Sequence, residues 1–223
     1  MGGGHEADGA ARSVNEIASA LRDAFSFDEL ELGERLQGGY ANDLFRIVAD
    51  GRTLVLRINH PPIVEKDIEW EHEMLRLLSG RLPEVVAPVP AREGTTAIRI
   101  GDRVGWLMPF VDGEPARAER AAQRAAAARA LGRLHLAGSA LELSRRPRLR
   151  PLSEQALPPL RVPAELQEWT ATIASERRRA ISYVSALADR RDLPITLTHG
   201  DFFPGNVLVS DGEVSAIVDW EEA

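Results

Sequence analysis

The sequence predicts an α+β fold with two lobes, the first an antiparallel sheet with one helix and the second mostly helical. Strand-type segments predominate before residue 112, two long helix-type segments follow, and a few short strands come last. Strands in one region and helices in another are typical of segregated α+β folds. A chain of 223 residues can bury a core in one such domain or in two small ones.

Composition excludes several functional classes. The 27 basic and 34 acidic residues give a net charge of −7, and so acidic a chain is poorly suited to wrapping nucleic acid. Cysteine is absent, which excludes disulfides and thiolate chemistry. The sequence lacks the pattern of a signal peptide and any apolar stretch of about 20 residues that could cross a bilayer. We therefore expect a cytoplasmic protein with neither nucleic-acid nor membrane partners.

The N-terminal segment is predicted to contain a helix that is preceded by a disordered stretch. Residues 1–12 are rich in Gly, Ala and Asp, and we expect them to be disordered. Ser13 and Glu16 have the spacing of a capping box, which marks the start of a helix. Apolar residues at helical spacing then extend this first helix to about residue 25.

Two hairpins and one helix are predicted between residues 44 and 108. Asp50-Gly51 lies between two apolar runs and predicts a tight hairpin, because both turn residues must accept positive φ. Gly101-Asp102 separates a second pair of apolar runs in the same way. A helix is expected over 64–79, and Gly80 is suited to capping its C-terminal end.

The second half of the chain is predicted to be mainly helical, with a final hairpin at Asp211-Gly212. Pro, Gly and Asp residues separate its predicted segments from one another. They are long helices at 116–137 and 164–189, an intervening loop rich in Pro and Arg, and short strands at 195–198, 206–210 and 214–218.

Three polar residues near the end of the chain are informative together. Asp201, in His199-Gly200-Asp201, precedes Asn206 by five residues, and Asp219 follows Asn206 by 13. The predicted hairpin starts at Asn206 and ends at Asp219, so the three side chains should converge. Phosphoryl transfer needs such a set, because a carboxylate must orient the attacking hydroxyl and oxygen ligands must hold Mg²⁺. The alternative is a plain turn at Asp201 and a strand-end cap at Asp219.

This segment resembles the aminoglycoside phosphotransferase and choline kinase-like family, with His-Gly-Asp where protein kinases have His-Arg-Asp, and Asp-Trp where they have Asp-Phe-Gly. The resemblance covers residues 36–223 and implies a protein-kinase-like fold. It implies ATP and Mg²⁺ as cofactors and a small-molecule hydroxyl as acceptor. Asp201 would be the catalytic base, Asn206 would share the catalytic site, and Asn206 and Asp219 would be the Mg²⁺ ligands. His135, on the first long helix, is expected to pack in the core.

An ion pair between a strand and a helix is the second predicted feature of the site. On the strand 53–58, Val55 and Arg57 face the side opposite the other apolar residues. Glu71 lies within the apolar stripe of the helix 64–79, where a buried carboxylate requires a partner. Arg57 can supply it, either as a structural salt bridge or as the pair that aligns nucleotide phosphates in kinases.

Further nucleotide contacts follow from position and from the resemblance. Gly38 and Gly39 could bring backbone N–H groups close to phosphates, although a plain hairpin turn would use the same residues. By resemblance, Pro109 and Val111 belong to the hinge between the lobes. The Pro109 carbonyl and the Val111 N–H would face the adenine edge, and Val55 would lie over the adenine ring.

These features predict an ATP- and Mg²⁺-dependent phosphotransferase with a nucleotide-binding lobe at 13–112 and a catalytic lobe at 113–223. The chain ends four residues after Asp219, whereas the resembled family has further helices, so we expect the second lobe to be truncated. Alternatives remain open. The segments 134–138 and 201–206 also resemble homoserine kinases, which would make the acceptor that or another metabolite. A truncated chain could instead be an inactive nucleotide-binding module, or a purely structural domain.

Overall fold

The computed structural model describes residues 4–36, 42–60, 65–143, 163–188 and 196–223. The chain forms two compact units, one comprising Met1–Ser144 and Leu197–Ala223 and the other comprising Arg145–Thr196. The division predicted at residue 113, between a nucleotide-binding lobe and a catalytic lobe, stays a prediction. The last strands belong to the same unit as the N-terminal sheet, and local sequence patterns carry no information about such a long-range association.

A five-stranded antiparallel sheet dominates the N-terminal part of the first unit. The predicted turn Asp50-Gly51 joins its second and third strands, and the φ angles of 49° and 73° confirm the expected left-handed conformation. The spatial order is β1-β2-β3-β5-β4. The strands are β1 (Leu30–Arg35), β2 (Asn42–Ala49), β3 (Arg52–Asn59), β4 (Ile98–Ile100) and β5 (Arg103–Pro109).

The predicted alternation along β3 is confirmed by the main core of the sheet. Leu54, Leu56 and Ile58 are all buried in one apolar cluster. Ile17 and Leu21 of helix α1 (Gly4–Phe25) belong to the same cluster, so α1 packs on this face. The opposite face of β3 is left to the remaining residues of the alternation.

Helix α1 begins at Gly4 rather than at Ser13, so residues 4–12 are helical where the sequence predicts disorder. This stretch contains Ala, Glu and Arg, which are strong helix formers. Their combined propensity, continuous with the amphipathic segment that follows, outweighs the cost of one internal glycine. A capping-box pattern inside a helix is therefore no proof that the helix starts there.

Helix α2 (Glu65–Ser79) packs on the other face of the sheet. Ile68 of α2 lies in an apolar cluster with Val104 and Trp106 of β5. Trp106 is directly opposite Arg57 in the register, so α2 covers the face to which Arg57 belongs. The predicted first residue of this helix, Val64, lies outside the described residues.

A three-stranded sheet and one helix complete the described part of the first unit. The strands β6 (Glu114–Pro115), β7 (Val207–Ser210) and β8 (Glu213–Ile217) are antiparallel in the order β6-β7-β8. The predicted Asp211-Gly212 hairpin is confirmed, with φ of 52° and 84°. Helix α3 (Ala121–Ser139) buries four residues at intervals of four, Ala126, Ala130, Leu134 and Gly138.

Two local predictions are wrong in this region. His135 is exposed on α3 rather than packed in the core, because it is one position beyond the buried stripe that contains Leu134. The strand expected at 195–198 is absent from its described part, residues 196–198. This segment leads directly to the buried His199 without pairing to a neighbouring strand.

The second unit is described over residues 163–188. A 3₁₀ helix covers Ala164–Trp169, and helix α4 covers Thr170–Ala188, where one continuous helix over 164–189 is predicted. The predicted Pro- and Arg-rich loop, at 144–163, lies almost entirely outside the described residues. In the described part of the chain, no helix has the length and apolar character needed to cross a membrane.

Candidate active site

The loop that carries Asp201 depends on a glycine. Gly200 has a φ of 79°, which L-residues with side chains rarely adopt. A Cβ atom at Gly200 would also lie 2.1 Å from the carbonyl oxygen of Glu222, far inside van der Waals contact. Only glycine meets both conditions, and the turn leaves the Asp201 side chain exposed to solvent.

His199 fixes this loop to the strand end opposite. Its ring is almost fully buried, at 1% exposure, and its Nε2 lies 3.0 Å from the Val218 carbonyl oxygen. The Asp201 N–H donates to Nδ1 at 3.3 Å, so Nδ1 is the acceptor and Nε2 carries the proton. Burial lowers the pKa of His199, which favours this neutral form. The neutral ring therefore ties the Asp201 backbone to the residue that precedes Asp219.

Asn206 is in direct contact with Asp201. Its Nδ2 donates to the Asp201 carbonyl oxygen at 3.0 Å and to Oδ2 of the same residue at 3.1 Å. Asn206 is buried, and its backbone carbonyl oxygen accepts a hydrogen bond from the Val218 N–H at 2.9 Å. Because both side-chain contacts use the amide nitrogen, Oδ1 is the atom of Asn206 that could ligate a cation.

Asp219 follows β8 in a left-handed conformation, with a φ of 66°. Asp is among the few residues with a side chain that tolerate this conformation, which is often found at functional sites. Burial raises the pKa of Asp219, and the carboxylates of Glu221 and Asp201 raise it further, while Arg57 opposes them. The structure thus brings Asp201, Asn206 and Asp219 to one place.

The Arg57 guanidinium is held on three sides. Its Nε donates to Asn59 Oδ1 at 3.3 Å, its Nη1 to Asp219 Oδ1 at 3.2 Å, and its Nη2 to Glu221 Oε2 at 2.5 Å. The Cζ atom of Arg57 also lies 5.0 Å from the centre of the Trp106 ring, a cation–π distance. With 7% of its side chain exposed, Arg57 is a buried cation whose three side-chain nitrogens each have a partner.

Arg57 forms ion pairs with two carboxylates that the sequence does not predict as its partners. Glu71 is buried on α2 as expected, but the carboxylates that pair with Arg57 in the described part of the chain belong to Asp219 and Glu221. Both follow β8, far from β3 in sequence. Spacing within the N-terminal region could identify a buried Glu and a nearby Arg, but it could not show that a distant segment competes for the same cation.

The register of β5 determines where its last backbone groups point. The Phe110 N–H donates to the Thr53 carbonyl of β3 at 3.2 Å, whereas the Leu107 carbonyl accepts the Val89 N–H at 2.7 Å. Backbone groups of alternate strand residues point the same way, and those of neighbouring residues point oppositely. The Pro109 carbonyl, two residues beyond Leu107, therefore points away from β3. This orientation is the one required of a hinge carbonyl that faces a ligand.

The other predicted nucleotide contacts are placed less completely. Val55 is half-buried on β3, two residues before Arg57 and on the same face of the strand. Val111 is also half-buried, just after β5. Gly38 and Gly39 lie outside the described residues.

Two site residues are missing from the sequence-based set. Asn59 is on the same face of β3 as Val55 and Arg57, so the alternation of that strand could have identified it. Glu221 accepts hydrogen bonds from both Arg57 and Asn42, the latter at 3.1 Å. No local pattern distinguishes Glu221 from its acidic neighbour, so sequence reasoning alone could not have found it.

The oxygen donors present fit magnesium better than a metal with an all-protein cage. Within the described ranges, no group of three or more His, Asp or Glu side chains is arranged to hold a metal ion. Mg²⁺ does not need one, because it keeps several waters and binds through one or two protein oxygens and substrate phosphates. Asn206 Oδ1 and the Asp219 carboxylate are hard donors of this kind.

The model of the phosphotransferase enzyme family matches residues 33–223, which include the whole of this site. The chain belongs to this family. A homoserine kinase from Methylobacterium nodulans is 30% identical over 183 residues, which are 82% of this chain. A homoserine kinase from Rhizobium etli is 26% identical over 187 residues. The chain spans 56% of the length of each of these relatives.

Solved structures of phosphotransferases share the fold. A microcompartment-associated aminopropanol kinase superposes with a TM-score of 0.69 at 18% identity, covering 92% of this chain and 69% of its own. A spectinomycin phosphotransferase in complex with ADP and spectinomycin superposes with a TM-score of 0.60 at 15% identity, covering 93% of this chain and 68% of its own. These likenesses confirm the predicted kinase-like α+β fold.

Proposed function

We propose that this protein transfers the γ-phosphoryl group of ATP to a hydroxyl group of a small molecule, in a Mg²⁺-dependent reaction. The observation that carries the proposal is the contact between Asp201 and Asn206 beside Asp219, opposite the buried Arg57. A carboxylate base, oxygen ligands and a fixed cation are the parts that phosphoryl transfer requires. Family membership supports the same reaction class.

Asp201 is the proposed catalytic base. Its carboxylate is exposed, so an acceptor hydroxyl can approach it from solvent. Asn206 holds Oδ2 of Asp201 and also the backbone of its loop, which fixes the orientation of the carboxylate. A base held in this way accepts the hydroxyl proton in the geometry needed for in-line attack, and most of the rate enhancement comes from such positioning.

Asn206 Oδ1 and the Asp219 carboxylate are the proposed ligands of Mg²⁺. When bound, the ion neutralises charge on the phosphate oxygens. Asp219 is suited to this role because burial, and then the carboxylates of Glu221 and Asp201, raise its pKa and disfavour its ionised form. A nearby cation would favour its ionised form.

The proposed nucleotide contacts lie on β3, β5 and α2. Arg57 would donate to the phosphates, while the Pro109 carbonyl and the Val111 N–H would bind the adenine edge and Val55 would cover its ring. Gly38 and Gly39 keep their predicted role at the phosphates, and the pairing of Glu71 with Arg57 that would align the phosphates stays a prediction. A structure of a family neighbour with ADP supports nucleotide use at such a site.

The acceptor class is a small molecule with a hydroxyl group, and the relatives favour a compact amino alcohol or amino acid. Relatives at 26–30% identity include homoserine kinases, and an aminopropanol kinase is a structural neighbour. Both names denote a hydroxyl acceptor that also bears an amine. A second candidate is a nucleotide-binding module without transfer activity, which the 56% coverage of the relatives keeps open.

Steady-state kinetics of an Asp201→Asn variant test the proposal. Loss of the base should lower kcat by about 10²- to 10⁴-fold, while the affinity for Mg-ADP stays the same. Asp211→Asn is the matched control, since Asp211 is exposed on the β7–β8 turn and Asn accepts its φ of 52°. An Asp201→Asn enzyme with wild-type kcat would contradict the assigned role.

A panel of acceptors separates the candidate functions. ATP consumption is measured with homoserine, aminopropanol, choline, a macrolide and several aminoglycosides. Transfer to homoserine or aminopropanol would support the amino-alcohol class, whereas transfer only to aminoglycosides would support the aminoglycoside class. Binding of Mg-ATP without transfer to any acceptor would favour the module without activity. A chain that fails to bind Mg-ATP in a thermal-shift assay would overturn both candidates.

A further inference from the structure

Glu221 joins three parts of the first unit. Its Oε2 accepts hydrogen bonds from Arg57 Nη2 on β3, at 2.5 Å, and from Asn42 Nδ2 at the start of β2, at 3.1 Å. It lies two residues after Asp219, which also pairs with Arg57. None of the steps proposed for phosphoryl transfer uses Glu221, so those steps do not explain why a carboxylate is placed beside Arg57.

Among the described residues, the side chains that contact Arg57 carry more negative charge than the guanidinium balances. The guanidinium contributes one positive charge and contacts two carboxylates, those of Asp219 and Glu221. A third carboxylate, Asp201, is close enough to act electrostatically on Asp219. The Arg57 side chain is 7% exposed, so the cation itself is shielded from water, while the Asp219 and Glu221 side chains are 43% and 35% exposed and their attraction to it is partly screened.

A phosphate that reaches Arg57 therefore meets a cation whose charge is already balanced. The supply of donors is not the obstacle: the guanidinium has five N–H groups, and the contacts to Asn59, Asp219 and Glu221 use three of them. The remaining N–H groups can donate to phosphate oxygens. The obstacle is repulsion between phosphate and carboxylate, which additional positive charge would remove.

We propose that Glu221 makes nucleotide binding depend on a divalent cation, because its carboxylate neutralises Arg57 until a cation bound beside Asp219 compensates it. The inference rests on the proposed function, since it takes Arg57 as the phosphate contact and Asp219 as a metal ligand. It requires no contact between Glu221 and the metal. Its physical consequence is that ADP without metal binds poorly, while Mg-ADP binds well.

Calorimetric titration of the full chain with ADP, in the presence of Mg²⁺ or of EDTA, tests the inference. Glu221→Gln keeps the size of the side chain and removes its charge. In EDTA this variant should bind ADP about tenfold more tightly than the wild type, equivalent to about 1.4 kcal/mol. With Mg²⁺ the change should be smaller, because loss of the charge also weakens retention of the cation. Glu222→Gln, at the exposed neighbouring residue, is the matched control and should behave as the wild type in both media.

Other outcomes are distinguishable. Unchanged binding of metal-free ADP by Glu221→Gln would overturn the inference. Weaker ADP binding in both media would assign Glu221 to positioning Arg57, and a loss confined to Mg²⁺ would make it a metal ligand; either result would also overturn it. Glu221→Ala, checked for folding by its melting temperature, must shift metal-free binding in the same direction. A wild-type chain that binds no Mg-ADP would refute the proposed function itself.

Discussion

Lowering the pH from 7 to 5.5 should destabilise the wild-type protein more than a His72→Phe variant. His72 is buried on α2 at 4% exposure. Its ring packs edge-to-face against Trp106, with the two ring centres 4.6 Å apart, and its Nδ1 lies 2.7 Å from Thr96 Oγ1. Burial, together with the positive charge of Arg57 on β3, lowers the pKa of His72 to about 4. The neutral ring therefore suits its site.

The sign and size of the effect follow from proton linkage. An unfolded histidine has a pKa of about 6.5, so between that value and about 4 the unfolded chain binds more protons at residue 72 than the folded one. Stability at this site is thus present above pH 6.5 and is lost as the pH falls toward 4. Between pH 7 and 5.5 the loss amounts to about 1.3 kcal/mol.

Urea unfolding at the two pH values measures this difference directly. His72→Phe removes the titrating group and keeps an aromatic ring against Trp106, so its loss of stability should be smaller than that of the wild type by about 1.3 kcal/mol. His135→Phe, at an exposed histidine of α3, is the control and should keep the wild-type loss. Equal pH dependence in the wild type and His72→Phe would refute the reasoning.

Two further substitutions test the packing around the site. Gly200→Ala should destabilise the protein by several kcal/mol, whereas Gly212→Ala, at a similar φ of 84° but with no atom within 4 Å of the new Cβ, should cost only about 1 kcal/mol; similar unfolding midpoints for the two would contradict the close approach to Glu222. Ser215→Ala removes a buried hydroxyl that has no hydrogen-bond partner among the described residues, so the melting temperature should rise or stay the same, and a clear fall would reveal a partner.

Local features of the fold could be predicted from the sequence because short-range chemistry decides them. Asp50-Gly51 and Asp211-Gly212 form left-handed turns that few other dipeptides adopt without strain. The alternation along β3 depends on a two-residue period that any buried strand must have. In contrast, β1 has few apolar residues and β6 has only two residues, so neither gives a clear strand signal.

The candidate site could be predicted only in part, for the same reason. The contact between Asp201 and Asn206 lies within one short loop, so their spacing predicts it. The partner of Arg57 is set by the approach of residues more than 160 positions away in the sequence. Glu71 satisfied every local criterion for that role. A buried cation takes the carboxylates that tertiary structure brings nearest, and no periodicity in the sequence encodes that choice.

The position of Asp219 is fixed by contacts outside the loop that carries Asp201 as well as by contacts with that loop. Ile217, at the end of β8, donates its N–H to the Glu84 carbonyl at 2.8 Å. The Glu84 carboxylate is buried at 2% exposure and accepts hydrogen bonds from Nε and Nη2 of Arg133 on α3, at 3.0 and 2.7 Å. A buried carboxylate without its cation would be strongly destabilising, so this pair holds the segment after α2 in place. That segment in turn fixes β8, and with it the backbone that presents Asp219 to Asn206 and Arg57.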